Sequence, residues 1–198
     1  YIQGQDLSAV LRERGPLPWR EALQVAAQVA VALDVANAHG VVHRDIKPSN
    51  LLLDGSAKLY LTDFGLARIE TEPGLTMTGD ILGTIRYMSP EQIRGSTEDI
   101  GRTSDVYSLG VILYELLAGQ PPFDGHSFTP ETVVSICEED PPRPSRLDST
   151  LKGDLETITH ADLCRHYKTH YGHDNAIAVA VGQVFNYENM TGQEAANL

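Results

Sequence analysis

The stretch "VVHRDIKPSNLLL", residues 41–53, places an imidazole, a guanidinium, a carboxylate, an ammonium and a carboxamide between two apolar runs. Polar chemistry packed this densely between strand formers predicts a functional loop rather than a solvated connector. "VV", "LLL" and "KLYL" (residues 58–61) read as short strands, and Asp54-Gly55 supplies a hairpin signal between the last two. The loop is therefore expected between strands. Asp45 and Asn50 lie five residues apart on it, and Asp63 follows in "TDFG" on the return strand. A hairpin brings the chain back to its start, so the three oxygen-bearing side chains are expected to converge. Hard oxygen donors of this kind suit Mg²⁺, which binds through one or two protein groups together with substrate phosphates and waters. Lys47 adds a local cation for phosphate, and Gly65 would let the backbone change conformation after Asp63.

Upstream, "LPWREALQVAAQVAVALDVANAHG" predicts one helix, with Pro18 near its start and Gly40 past its end. Leu23, Ala26, Ala30 and Leu33, with Val29, form its apolar face at three-to-four spacing. Downstream, "SDVYSLGVILYELLAG" predicts a central buried helix, apolar nearly all round, from an N-cap at Ser104 to Gly119. Residues 70–83 are rich in Thr, Gly and Glu and read as a mobile surface loop, whereas "DPPRPSRLDST" reads as an extended connection.

The chain has 198 residues, 41% hydrophobic and 21% charged, which is globular in composition. Its formal charge of −12 excludes nucleic acid or an anionic membrane as a bulk electrostatic partner. Phosphate chemistry must then rest on a few local cations. Cys137 and Cys164 are too few for a disulfide framework, and the longest apolar run falls short of the ~20 residues of a transmembrane helix. A cytoplasmic protein is expected. The sequence opens at Tyr1, inside what reads as a functional segment, as a piece of a longer protein would.

Several motifs in order resemble a protein kinase. "HRDIKPSN" resembles the catalytic loop, "DFG" the metal-binding start of the activation segment, and "GTIRYMSPEQ" its end, with Ser89-Pro90-Glu91 where Ala-Pro-Glu is usual. "SDVYSLG" resembles the helix that supports them. The resemblance implies that Asp45 accepts or orients the substrate hydroxyl proton, that Lys47 contacts the γ-phosphate of ATP, and that Asn50 and Asp63 hold Mg²⁺. Lys47, within "DIKPSN", resembles the serine/threonine type, so the implied partner is a protein with a Ser or Thr acceptor, bound beside Thr84. "YIQGQDL" resembles the hinge. There the Ile2 backbone would meet adenine, Asp6 the ribose, and Leu52 would lie under the base. Asp105 resembles the aspartate that ties down the catalytic loop. Arg44 implies control by phosphorylation of the activation segment, with Thr76 and Thr78 as acceptors. His43 is read as a packed structural residue, since Asp45 holds the catalytic position.

The resemblance implies an α+β fold: a mostly helical kinase C-lobe whose short β hairpins carry the catalytic and metal loops, with the N-lobe absent. The glycine-rich loop, strand lysine and helix glutamate of that upper lobe would precede Tyr1. Weak ATP binding and little or no transfer by the chain alone are expected. The kinase part is expected over residues 1–158, and the arginine that usually pairs with the Glu91 equivalent has no clear counterpart. Residues 159–184 include "ADLCRHYKTHYGHDNAIAVAVG", which resembles an internal piece of pitrilysin/insulinase-type zinc peptidases. His166 and His170 share a zinc-pair spacing, but "HYKTH" lacks the glutamate of H-E-x-x-H, and the zinc motif of the peptidases lies elsewhere in that family, so no peptidase activity is expected. Residues 185–198 are an unassigned tail. A non-catalytic kinase-like interaction module is the alternative function.

Overall fold

Two helices and a small sheet converge on the loop of residues 41–47. The computed structural model describes residues 2–64, 84–96, 98–123 and 129–147. Gly65, Thr76, Thr78, the 70–83 stretch, the peptidase-like segment and the tail lie outside them.

Strand β1 (Gly4–Asp6) runs into helix α1 (Leu7–Arg14), whose N-terminus is capped by Asp6 Oδ1 accepting from Ala9 N–H at 2.9 Å. Helix α2 (Trp19–Ala38) follows. Its Ala-rich sequence favours helix, and Ala22, Leu23, Val25, Ala26, Val29, Ala30 and Leu33 form one buried stripe. Gly40, just beyond, takes φ 74°, a left-handed conformation that ends the helix. Strands β2 (Leu51–Asp54) and β3 (Leu59–Leu61) complete an antiparallel sheet of order β1-β2-β3. Period-two alternation sends Leu51, Leu53, Leu59 and Leu61 to the core. Leu52, paired with Asp6 and Tyr60, lies on the other face. Gln28 of α2 ties the hairpin down, accepting from Leu59 N–H at 2.9 Å and donating to Ala57 O at 3.1 Å.

Helix α3 (Pro90–Ile93) precedes helix α4 (Arg102–Ala118), and helix α5 (Pro130–Glu138) follows. All of α4 from Ser104 to Tyr114 is buried, together with Leu116 and Leu117, as its all-round apolarity predicts. It packs chiefly against α2. Each fully buried Leu or Ile there, such as Leu33, Ile112 and Leu116, contributes about 2 kcal/mol from apolar area alone.

The structure corrects the sequence reading at several points. "VV" is not a strand, because Val41 N–H returns to Ala36 O at 3.0 Å and closes the end of α2. The loop therefore runs from a helix, not from a strand. The β2–β3 connection is longer than a two-residue turn, with Ala57 in the left-handed position (φ 61°). Asp54 holds that turn by accepting from Ser56 N–H, Ser56 hydroxyl and Lys58 N–H at 2.8, 2.6 and 3.1 Å. The central helix starts earlier than Ser104. Gly101 is its N-cap, and Ser104 lies one turn inside, where its hydroxyl serves the site described below. The "DPPRPSR" stretch ends in a single 3-10 turn at Pro144–Arg146. Strand β1 and helices α1, α3 and α5 are too short to show a sustained period. Among the described residues, no helix is long and apolar enough to cross a membrane.

Candidate active site

The loop turns two residues three apart inward. His43 and Ile46 are buried to 0% and 1% exposure, which leaves Arg44 exposed and Asp45 and Lys47 partly so. Asp45 N–H donates to His43 Nδ1 at 3.3 Å, and His43 Nε2 lies 2.8 Å from Thr62 O. One nitrogen accepts and the other meets a carbonyl, which selects the neutral Nε2–H tautomer. The ring also packs on Phe64, with centroids 4.7 Å apart. His43 is thus a structural strut between the loop and the end of β3.

Two of the three oxygen-bearing side chains expected to converge, Asp45 and Asn50, meet on this loop, with Lys47 beside them. Lys47 Nζ lies 3.0 Å from Asp45 Oδ2 and donates to Thr84 Oγ1 at 3.0 Å. Asn50 Nδ2 donates to Asp45 O at 2.8 Å and to Asp45 Oδ2 at 3.2 Å. Asp45 Oδ2 is therefore held from two sides, while Oδ1 has no hydrogen bond among the described residues. The Asn50 amide nitrogen is spent on Asp45, so its Oδ1, which among the described residues accepts only from Ser49 hydroxyl at 3.5 Å, is left as a ligand for a cation. Asp63 follows from Thr62, whose N–H and hydroxyl both donate to Asn50 O at 3.0 and 3.1 Å. These bonds set the end of β3 beside Asn50. Asp63 is exposed and takes φ 62°, so the left-handed backbone falls on Asp63 itself.

Asp105 reaches the loop from α4. Its Oδ2 accepts from His43 N–H at 2.9 Å and its Oδ1 from Arg44 N–H at 2.8 Å. Burial raises its pKa, against the lowering effect of those two N–H donors. Arg44 sits at φ 66°, and its carbonyl accepts from Gln92 Nε2 at 2.7 Å. Gln92 also completes a capping box with the fully buried Ser89 at the start of α3. Glu91, expected to lack its arginine, accepts from Ser104 hydroxyl at 2.6 Å. Ser108 hydroxyl donates to Tyr87 O at 2.7 Å, and Tyr87 hydroxyl to Glu115 at 2.7 Å. Burial raises the pKa of both Tyr87 and Glu115.

Of the residues expected at the hinge, Asp6 caps α1, Ile2 is exposed and Leu52 is half-buried on the outer face of the sheet. Gln92, Ser108 and Tyr87 are site-building residues that the sequence reading missed. The only signal for Gln92 was its place three residues after Ser89 in a capping-box pattern.

The protein kinase domain profile matches residues 1–165. The chain belongs to the protein kinase family. The chain is 37% identical over 174 residues to the serine/threonine-protein kinase PknB of Mycolicibacterium smegmatis, covering 86% of this chain and 27% of that protein. It is 37% identical over 158 residues to the probable serine/threonine-protein kinase PknB of Lactococcus lactis, covering 76% and 25%. With the serine/threonine-protein kinases drp72 of Corynebacterium efficiens the identity is 38% over 186 residues, 94% of this chain and 35% of that one. The chain thus spans a quarter to about a third of the length of these curated relatives. Members of the family in general use ATP and a divalent metal.

Proposed function

We propose that these residues form the hinge and C-lobe of a serine/threonine protein kinase, which transfers the γ-phosphate of ATP to a protein hydroxyl. The observation that carries this reading is the linked set Asn50–Asp45–Lys47–Thr84, held on one loop by Asp105.

The chemistry follows from the positions of these groups. Asp45 Oδ1 accepts or orients the proton of the acceptor hydroxyl, while Lys47 and Asn50 fix Oδ2 and with it the plane of the carboxylate. Lys47 supplies a positive charge beside the acceptor position, and Thr84 holds that ammonium in place. The donor set of Asn50 Oδ1 and Asp63 fits Mg²⁺, whose chemistry when bound is to neutralise phosphate charge. Positioning and charge neutralisation thus account for most of the catalysis. Arg44, exposed beside Asp45, suits a phosphorylated activation segment, with Thr76 and Thr78 as acceptors.

A second reading is a kinase-like interaction module, in which the same loop serves docking without phosphoryl transfer. Little or no transfer by the chain alone is expected on the first reading. Residues 159–184 keep their resemblance to a peptidase piece and add no activity to either reading. The two readings separate in an assay of labelled phosphate passing from Mg-ATP to a generic protein substrate, with the chain and its Asp45→Asn variant. Transfer lost in the variant supports the enzyme. No transfer by either supports a kinase-derived fragment that does not act alone.

A further inference from the structure

A cleft of about 710 Å³ opens beside Lys47, Asn50 and Thr84 and extends to α1 and the end of α4. Its charge runs against that of the chain. The protein carries −12 overall, yet the cleft is lined by Arg12, Lys47 and Arg86, with Glu115 as the one acid among its lining residues. Glu115 is turned to Tyr87 hydroxyl at 2.7 Å and has Arg86 nearby, and burial raises its pKa. Lys47 is balanced by Asp45. Arg12, in contrast, is exposed on α1 and has no hydrogen bond or ion pair among the described residues. A guanidinium in that position presents a planar fork matched to a carboxylate.

We propose that this cleft selects acidic peptides: a substrate with its acceptor hydroxyl at Asp45 lays a flanking Asp or Glu against Arg12, with Arg86 contributing from the turn after Thr84. The inference rests on the phosphoryl-transfer reading for the position of the acceptor. It adds a specificity that Asp45, Lys47 and Asn50 do not carry. The sign is decisive, because the bulk charge of the chain attracts basic peptides and only the local cations attract acidic ones.

The test is fluorescence anisotropy with three labelled peptides that differ only in the residues flanking a central Ser, which are Glu, Ala or Lys. The 198-residue chain is used without nucleotide. The Glu peptide is expected to bind about fivefold tighter than the Lys peptide, with the preference shrinking in high salt. Arg12→Glu should reverse the order with an unchanged circular dichroism spectrum, and Arg86→Gln should weaken it. Tighter binding of the Lys peptide, or a Glu preference that survives Arg12→Glu, overturns the proposal. Arg86 is half-buried, so if its variant does not fold, the exposed Arg12 variant decides alone. Labelled-phosphate transfer is measured alongside. Preference without transfer counts against the enzyme reading alone, and transfer without preference counts against the acidic cleft alone.

Discussion

Asp105 holds Arg44 in a left-handed backbone conformation: its Oδ1 accepts from Arg44 N–H at 2.8 Å where φ is 66°. A non-glycine residue there carries a cost of about 1–2 kcal/mol, so the surroundings must over-determine it. They do so from two sides, since Gln92 Nε2 donates to the Arg44 carbonyl at 2.7 Å. The peptide units around Arg44 are thereby aimed, and Asp45 follows from their orientation.

Asp105→Ala is expected to destabilise the fold by about 3 kcal/mol, because it strips the acceptor from two N–H groups, one of them in the fully buried His43. Urea denaturation checks this. A loss below about 1 kcal/mol would mean that water replaces the carboxylate.

Stability should respond to acid through Asp54. Its hydrogen bonds to Ser56 hydroxyl and backbone lower its pKa to about 2 from an ordinary 3.8. The folded state therefore holds this proton less tightly than the unfolded one. Its contribution is complete above pH 3.8 and is lost as pH falls toward about 2. Asp54→Asn should be less stable than the parent at pH 6 and match it near pH 2, as read by thermal unfolding across pH.

The buried acids act with the opposite sign. Burial raises the pKa of Asp105 and Glu115, so the folded state binds their protons more tightly than the unfolded state does. That part of the stability falls as pH rises above the ordinary carboxylate range of about 4. Glu115→Gln, which keeps an acceptor for Tyr87 hydroxyl, should flatten the decline. An unchanged pH slope would show that Glu115 does not contribute to it.

Gly4→Ala should open one edge of the sheet. A β-carbon at Gly4 would run into the backbone carbonyl oxygen of Leu53, the residue beside its β2 partner Asp54. A backbone atom cannot swing away as a flexible side chain can, so an overpacking cost of about 1–3 kcal/mol is expected. Amide exchange at residues 4–6 should accelerate, while residues 59–61 keep their protection.

His43→Leu keeps the packing volume but removes the bonds to Thr62 O and from Asp45 N–H. The expected cost is about 1–3 kcal/mol, from polar groups left without partners. In the parent, nitrogen chemical shifts of the ring should report the proton on Nε2. A proton on Nδ1 would contradict the Asp45 contact.

The residue types of the loop of residues 41–53 were legible in the sequence, because an acid, a cation and an amide at short spacing stand out without a structure. So were α2 and α4, whose apolar patterns run long enough to show a helix. Short elements were not legible. β1 spans three residues and α3 spans four, too few for a period to emerge, and "VV" satisfied a strand pattern while closing a helix. The contacts that build the site came from the tertiary structure alone. Asp105 lies 61 residues from Arg44, Thr84 lies 37 from Lys47, and Gln92 lies 48 from Arg44. Hydrogen bonds over such separations depend on how α4 packs against α2 and where the chain returns. Local propensity does not encode that geometry; the burial of two complementary apolar surfaces does.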